Sequence, residues 1–175
     1  ELMTHINREM LRGANEINED ALQIDLLNGA GVIRYAGAAT SNVTVDDTCN
    51  VTYGDLMRLA IDLDNNRCPK QTKIISGSRM VDTKVIDSAR VMYIGSELIP
   101  TVKGMVDLHG NPAFIPVQHY ADAGNILNGE IGTIDQFRIV VVPEMMKWEG
   151  AGADASTTDT HYETGDKYDV FPMLV

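Results

Sequence analysis

Met3, Met10, Ile17 and Ile24 recur every seven positions. Ile6, Ala14, Ala21 and Leu27 fill the three- and four-residue spacing between them, which is the pattern of one long amphipathic helix. Arg8, Glu9, Arg12, Glu16, Glu19 and Asp20 lie between the apolar positions, so one face is polar and its middle is acidic. Asn28-Gly29-Ala30-Gly31 tolerates left-handed backbone angles and should stop the helix after roughly 28 residues, about 42 Å at 1.5 Å per residue. The mean globular helix is about 11 to 12 residues, so this one reads as a strut.

Residues 32–50 are small and polar, with Gly37-Ala38-Ala39-Thr40-Ser41-Asn42 and then Asp46-Asp47, and 36–50 is expected to be a surface loop. Thr52 stands three residues before Asp55, a variant of the capping box, and Leu56, Leu59, Ala60 and Leu63 follow at helical spacing. That second helix should end near Asn65-Asn66, where Cys68-Pro69 turns the chain into the short β-branched run Lys73-Ile74-Ile75. Ser76-Gly77-Ser78 breaks this strand, residues 80–92 read as mixed helix and strand, and residues 96–105 read as a helix with Pro100 in its first turn. Residues 120–127 are weakly helical and Asn128-Gly129-Glu130-Ile131-Gly132 reads as a turn. Residues 137–142, with the continuous apolar run 139–142 and bounded by Pro143, are the strongest strand and should be covered on both faces. Residues 150–168 are nearly free of apolar side chains and read as a mobile surface loop, before an apolar end at 170–175. Both helices and strands are expected.

Composition changes this picture mainly by exclusion. The 175 residues carry 25 acidic against 14 basic side chains, a formal charge of −11, which argues against a generic nucleic-acid binder. With 44% apolar and 22% charged residues the chain is globular and long enough to bury a core without disulfides or metal. No apolar run, 139–142 included, approaches the roughly 20 residues of a spanning helix, so no membrane role is expected. Glu1 is not an initiator Met, no signal peptide is spelled out, and the apolar end suggests an excerpt of a longer protein. Cys49 and Cys68 lack further ligands nearby and read as reduced structural thiols. The sequons at Asn42 and Asn50 carry little weight without other signs of secretion.

Candidate chemistry is sparse. Asp62-Leu63-Asp64-Asn65-Asn66 begins like a calcium loop, but Arg67 replaces the glycine at position six and Lys73 the bidentate glutamate at position twelve. A helix end with a polar turn is the better reading. His5, His109, His119 and His161 form no metal-binding spacing, although His109 and His119 flank one loop. Ser76-Gly77-Ser78 is not a nucleophile elbow, and Gly29-Ala30-Gly31 ends a helix instead of starting one, so it is not a phosphate loop. Asp46-Asp47 and the Glu16/Asp20 pair read as solvated faces. No catalytic, metal-binding or cofactor-binding residues are therefore expected, and the chain is not expected to be an enzyme. Nine methionines include Met145-Met146 beside Trp148, a candidate contact surface next to a loop.

Several long strings resemble the major capsid protein of tailed bacteriophages, in particular the N-four-like podophage family. They are Arg8-Glu9-Met10-Leu11-Arg12-Gly13-Ala14-Asn15-Glu16 through Asp25-Leu26-Leu27-Asn28-Gly29, and Tyr53-Gly54-Asp55-Leu56-Met57-Arg58-Leu59 through Asp64-Asn65-Asn66-Arg67-Cys68-Pro69. Ile75-Ser76-Gly77-Ser78, Ala89-Arg90-Val91-Met92-Tyr93-Ile94-Gly95 and Gln136-Phe137-Arg138-Ile139-Val140-Val141-Val142-Pro143 continue the likeness over nearly the whole chain. The resemblance implies the fold class α+β and an HK97-like capsid fold fragment: residues 1–30 as the spine helix of a peripheral domain, and 31–175 as mainly the axial domain, a mixed sheet flanked by helices. It also implies that the N-terminal arm, the extended hairpin and the C-terminal peripheral strands lie outside this sequence.

The implied role is structural. Copies would self-assemble into hexamers and pentamers of an icosahedral phage or prophage head, built in the bacterial cytoplasm and carried in the virion. The head encloses double-stranded DNA without sequence-specific binding, and scaffold, portal or decoration proteins are further expected partners. An acidic wall suits a container that must not grip DNA. The alternatives are an acidic α/β ligand-binding domain and a metal-dependent hydrolase resting on Asp62 and Asp64. The subunit-interface residues expected from the turn and from the methionine-tryptophan stretch are Asn128, Gly129, Glu130, Met145 and Trp148.

Overall fold

A computed structural model describes residues 2–70, 72–75, 83–86, 89–120, 126–155 and 162–175. The chain divides into two compact units, residues 1–33 and 34–175. The first unit is helix α1 (Leu2–Asn28), 27 residues long, which agrees with the seven-residue periodicity. None of its residues is buried, and Met3, Met10, Ile17 and Ile24 all stand exposed. Its last turn closes with the Gly29 amide donating to the Asp25 carbonyl at 2.9 Å. Neither Gly29 nor Gly31 takes a positive φ, so the expected left-handed stop is not used.

In the second unit Thr52 caps helix α2 (Tyr53–Asn65) in the expected way. Its hydroxyl accepts from the Asp55 amide at 3.3 Å, while the Asp55 carboxylate accepts from the Thr52 amide at 3.1 Å. The helix ends where Arg67 adopts φ 58°, a left-handed residue that redirects the chain into Cys68-Pro69. Strands β1 (Thr72–Ile75) and β2 (Thr83–Ile86) then pair as an antiparallel hairpin with Thr72 opposite Ile86. The principal sheet contains β3 (Arg90–Ile94), β4 (Ile115–Pro116), β5 (Glu130–Ile134) and β6 (Phe137–Val141) in the order β3-β6-β5-β4. β3 and β6 are parallel, and the other neighbours are antiparallel. A short helix α3 (Ile99–Lys103), with Pro100 in its first turn, follows β3.

The core explains this arrangement. Met92 and Ile94 of β3, Phe137 and Ile139 of β6 and Ile134 of β5 lie on one sheet face, against Leu56 and Ala60 of α2 and Val102 of α3. Each of these larger side chains, fully withdrawn from water, contributes roughly 1.5 to 3 kcal/mol. β6 is interior and its first four residues are all buried, Arg138 among them, as the apolar residues around it predict. The outer edge of β3 is closed by the C-terminal run, with the Tyr93 amide donating to the Leu174 carbonyl at 2.7 Å and the Leu174 amide returning the bond at 3.0 Å.

Two local expectations are corrected. Residues 128–132 are not one turn, because Glu130 already opens β5. The described part of 80–92 holds strands β2 and β3 and no helix. Of the weak helix at 120–127, residues 121–125 lie outside the described residues, as do Ser76, Gly77, Ser78 and His161. Within the segments 36–50 and 150–168, among the described residues, Asn42–Thr44 forms a 3-10 turn and β7 (Glu163–Thr164) pairs with β8 (Lys167–Tyr168). The Ala153 amide donates to the Val45 carbonyl at 2.9 Å, joining the two segments. These backbone hydrogen bonds need no apolar side chains.

Candidate functional site

The turn before β5 presents Asn128 and Gly129 to solvent. Gly129 has φ 78°, a left-handed angle that favours glycine, and its carbonyl accepts from the Val141 amide at 3.0 Å. Glu130 points the other way. Opposite β6 the register pairs Ile134 with Phe137 and Thr133 with Arg138, then slips by one between Gly132 and Glu130, so that Glu130 faces Val140. In a strand of regular period Glu130 would share the core face with Ile134. The bulge moves it to the face of Arg138 and Val140.

There Arg138 grips it bidentately, Nε to Oε1 at 2.7 Å and Nη2 to Oε2 at 2.8 Å. The Tyr120 hydroxyl donates to Oε1 at 2.7 Å and the Leu127 amide to Oε2 at 2.9 Å. Burial pushes the Glu130 carboxyl up, but the bonds from Arg138, Leu127 and Tyr120 outweigh it and hold the group below its ordinary value. Burial, followed by the neighbouring Glu130 carboxylate, pushes the Tyr120 phenol well above its usual range. Glu130 is thus an internal brace. Through the Leu127 amide it fixes the turn that displays Asn128 and Gly129.

Trp148 sits on a second rigid support. Its backbone exchanges two hydrogen bonds with Val170, both 2.9 Å, and it remains 37% exposed. Met145 is half-buried beside Gly95. Below them the Asp169 carboxylate accepts from the Gly150 amide at 2.8 Å, the Thr164 hydroxyl at 3.0 Å and Lys147 Nζ at 3.1 Å. Burial raises the Asp169 carboxyl, yet these donors leave it below its ordinary value, while the bond to Asp169 lifts Lys147. The structure therefore places Asn128, Gly129 and Trp148 on the surface, Met145 partly beneath it and Glu130 inside. Asp169, Lys147 and Tyr120 escaped sequence reasoning. Their partners lie 22 and 10 residues away, beyond any local pattern.

The acidic end of α2 is occupied by cations of the chain itself. Asp64 accepts from the buried Arg90 at 2.6 Å and pairs with Lys70 at 2.9 Å, while Asp62 pairs with Arg34 at 2.6 Å. Arg90 also reaches the Gln136 side chain at 2.6 Å and the Cys68 carbonyl at 2.8 Å, tying the end of α2 to the sheet. Hydrogen bonds from Arg90 and then Lys70 hold the Asp64 carboxyl below its usual value. Two arginines inside otherwise apolar strands, Arg90 and Arg138, were the sequence signal for these buried ion pairs. Among the described residues no group of three or more His, Cys, Asp or Glu could hold a metal. Cys49 and Cys68 are free thiols, each half-buried.

No protein-family model matches the chain. Residue by residue it is nevertheless similar, from end to end, to a shell protein of a bacterial virus. That relative is the major capsid protein of Pseudomonas phage KPP21, 61% identical over 176 aligned residues. The alignment takes in the whole of this chain and 44% of the relative, so the chain spans under half of that protein's length. The resemblance to a phage major capsid protein thus holds over the entire chain. Among the described residues no helix is long and apolar enough to cross a membrane.

Proposed function

We propose that this chain is part of a major capsid protein of a tailed phage and that its role is structural, as a repeated subunit of the head. The observation that carries this reading is the 61% identity across every part of the chain, both units included. Identity of that extent preserves core, turns and surface together, and a shared catalytic motif would not produce it. The finer reading is an HK97-like capsid fold of the N-four-like kind, with residues 1–30 as the spine helix and 31–175 mainly as the axial domain. A 27-residue helix with no buried residue, together with a separate mixed-sheet unit that has its own core, supports that division. Copies then form hexamers and pentamers around double-stranded DNA, with scaffold, portal or decoration proteins as further partners. Neither the ligand-binding nor the hydrolase alternative gains support, since Asp62 and Asp64 are engaged by Arg34, Arg90 and Lys70.

The test is particle size, by light scattering and negative-stain microscopy, of the full-length gene product. Closed shells or rings of five or six subunits are expected. A monomer that persists at every salt and crowding condition would overturn the reading. Asn128, Gly129, Met145 and Trp148 are proposed as contact residues, with Glu130 bracing them from within. Trp148→Ala should weaken association without unfolding the domain; unaltered association removes Trp148 from the contact.

A further inference from the structure

We propose that the hairpin 105–113 is a docking element by which one copy of this chain binds a second copy, with Leu108 and Val106 as its apolar anchors. The hairpin is rooted in the core by Met105, which is buried, and the Ala113 amide donates to the Met105 carbonyl at 3.0 Å. Further out, the Asp107 amide donates to the Asn111 carbonyl at 2.8 Å, and Val106 stands opposite Pro112. The tip is braced from inside, since one Asp107 carboxylate oxygen accepts from the amides of His109 at 2.7 Å and Asn111 at 2.9 Å. Leu108 is nevertheless 70% exposed and Val106 55% exposed. Large apolar side chains on a tip already fixed in shape lose little freedom on docking, which favours binding through them.

Charge selects the occupant. Between residues 98 and 120 the one acidic residue is Asp107 and the one Lys or Arg is Lys103, a formally neutral stretch in a chain of net charge −11. Two copies approaching through most of their surface repel each other. A contact that places this acid-poor stretch on one of its two sides lowers that penalty, whereas a basic partner would gain nothing from choosing it. The inference rests on the capsid reading, in which one patch of each subunit meets a different patch of the next around a closed ring.

The experiment compares the full-length protein with its Leu108→Glu variant, using Val43→Glu, another exposed apolar position, as the control. If the parent fails to assemble, the capsid reading falls and this inference with it. If the parent assembles, Leu108→Glu should reduce the assembled fraction at least about 10-fold at equal concentration while Val43→Glu does not. Assembly of Leu108→Glu at the parent's level overturns the hairpin alone. Should Leu108→Glu fold poorly, Leu108→Cys gives an independent reading through maleimide labelling, corrected for the labelling of the unsubstituted parent. The added thiol should react at least about 10-fold more slowly in assembled particles than in free subunits. Equal rates overturn the proposal, and so does protection that arises only when a second phage protein is added, which would assign the hairpin to that protein.

Discussion

Arg138 and Glu130 form a bidentate pair across β5 and β6 although the strand register sets neither opposite the other: Arg138 faces Thr133 and Glu130 faces Val140. The Glu130 side chain has no solvent exposure and that of Arg138 only 9%. A pair this deep contributes less by attraction than it costs when one partner is removed, because the survivor is a buried uncompensated charge.

Removing either partner by Glu130→Ala or Arg138→Ala should therefore cost about 3 to 5 kcal/mol, and removing both should cost clearly less than the sum. Urea unfolding at unchanged slope measures this. Single variants that each lose under about 1 kcal/mol would show that the pair is not a support of the fold.

Gly132 lies under β4, where an added methyl would fall on the Ile115 carbonyl oxygen and the Phe114 ring. The carbonyl belongs to the strand pairing of β4 with β5 and cannot withdraw. Gly132→Ala should cost about 1 to 3 kcal/mol in the same urea assay; a neutral result would mean that β4 is not held against β5.

Acid should weaken the fold through Glu130 and Asp169. Both have folded-state values below their ordinary 4.5 and 3.8, so on acidification the unfolded chain takes up protons first. Their stabilisation is complete above the unfolded values and is lost as pH falls through the lowered folded ones. The thermal midpoint should stay level from neutral pH to about 5 and drop below that, with a shallower drop in Glu130→Gln. A midpoint that rises on acidification in that range contradicts the assignment.

Thr52→Ala removes a cap whose hydroxyl and whose partner Asp55 serve the first turn of α2. About 1 kcal/mol should be lost, while Thr52→Ser should retain most of it. Equal stabilities for the two variants would mean that the cap does not hold the helix start.

The elements that depend on neighbours in sequence were legible. The seven-residue apolar spacing of α1, the Thr52/Asp55 cap of α2, Pro100 at the start of α3 and the apolar run of β6 each act within one or two turns or along one strand. Backbone bonds such as Ala153 to Val45, which tie described residues of segments 36–50 and 150–168, were not legible, because composition carries no record of them.

The candidate contact residues divide in the same way. Trp148 and the Asn128-Gly129 turn could be chosen from residue type and turn chemistry, and the structure leaves all three at the surface. The sequence by itself determined which residues seek the core, where helices begin and that the surface is acidic, because these follow from side-chain chemistry and short-range periodicity. Only the tertiary structure decided that Glu130 turns inward. Side chains alternate with period two, and a single extra residue in β5 moves every position beyond it to the opposite face. It also decided that Asp64, Gln136 and Cys68 converge on Arg90, since a guanidinium withdrawn from water must collect acceptors from whichever strands and helix ends surround it.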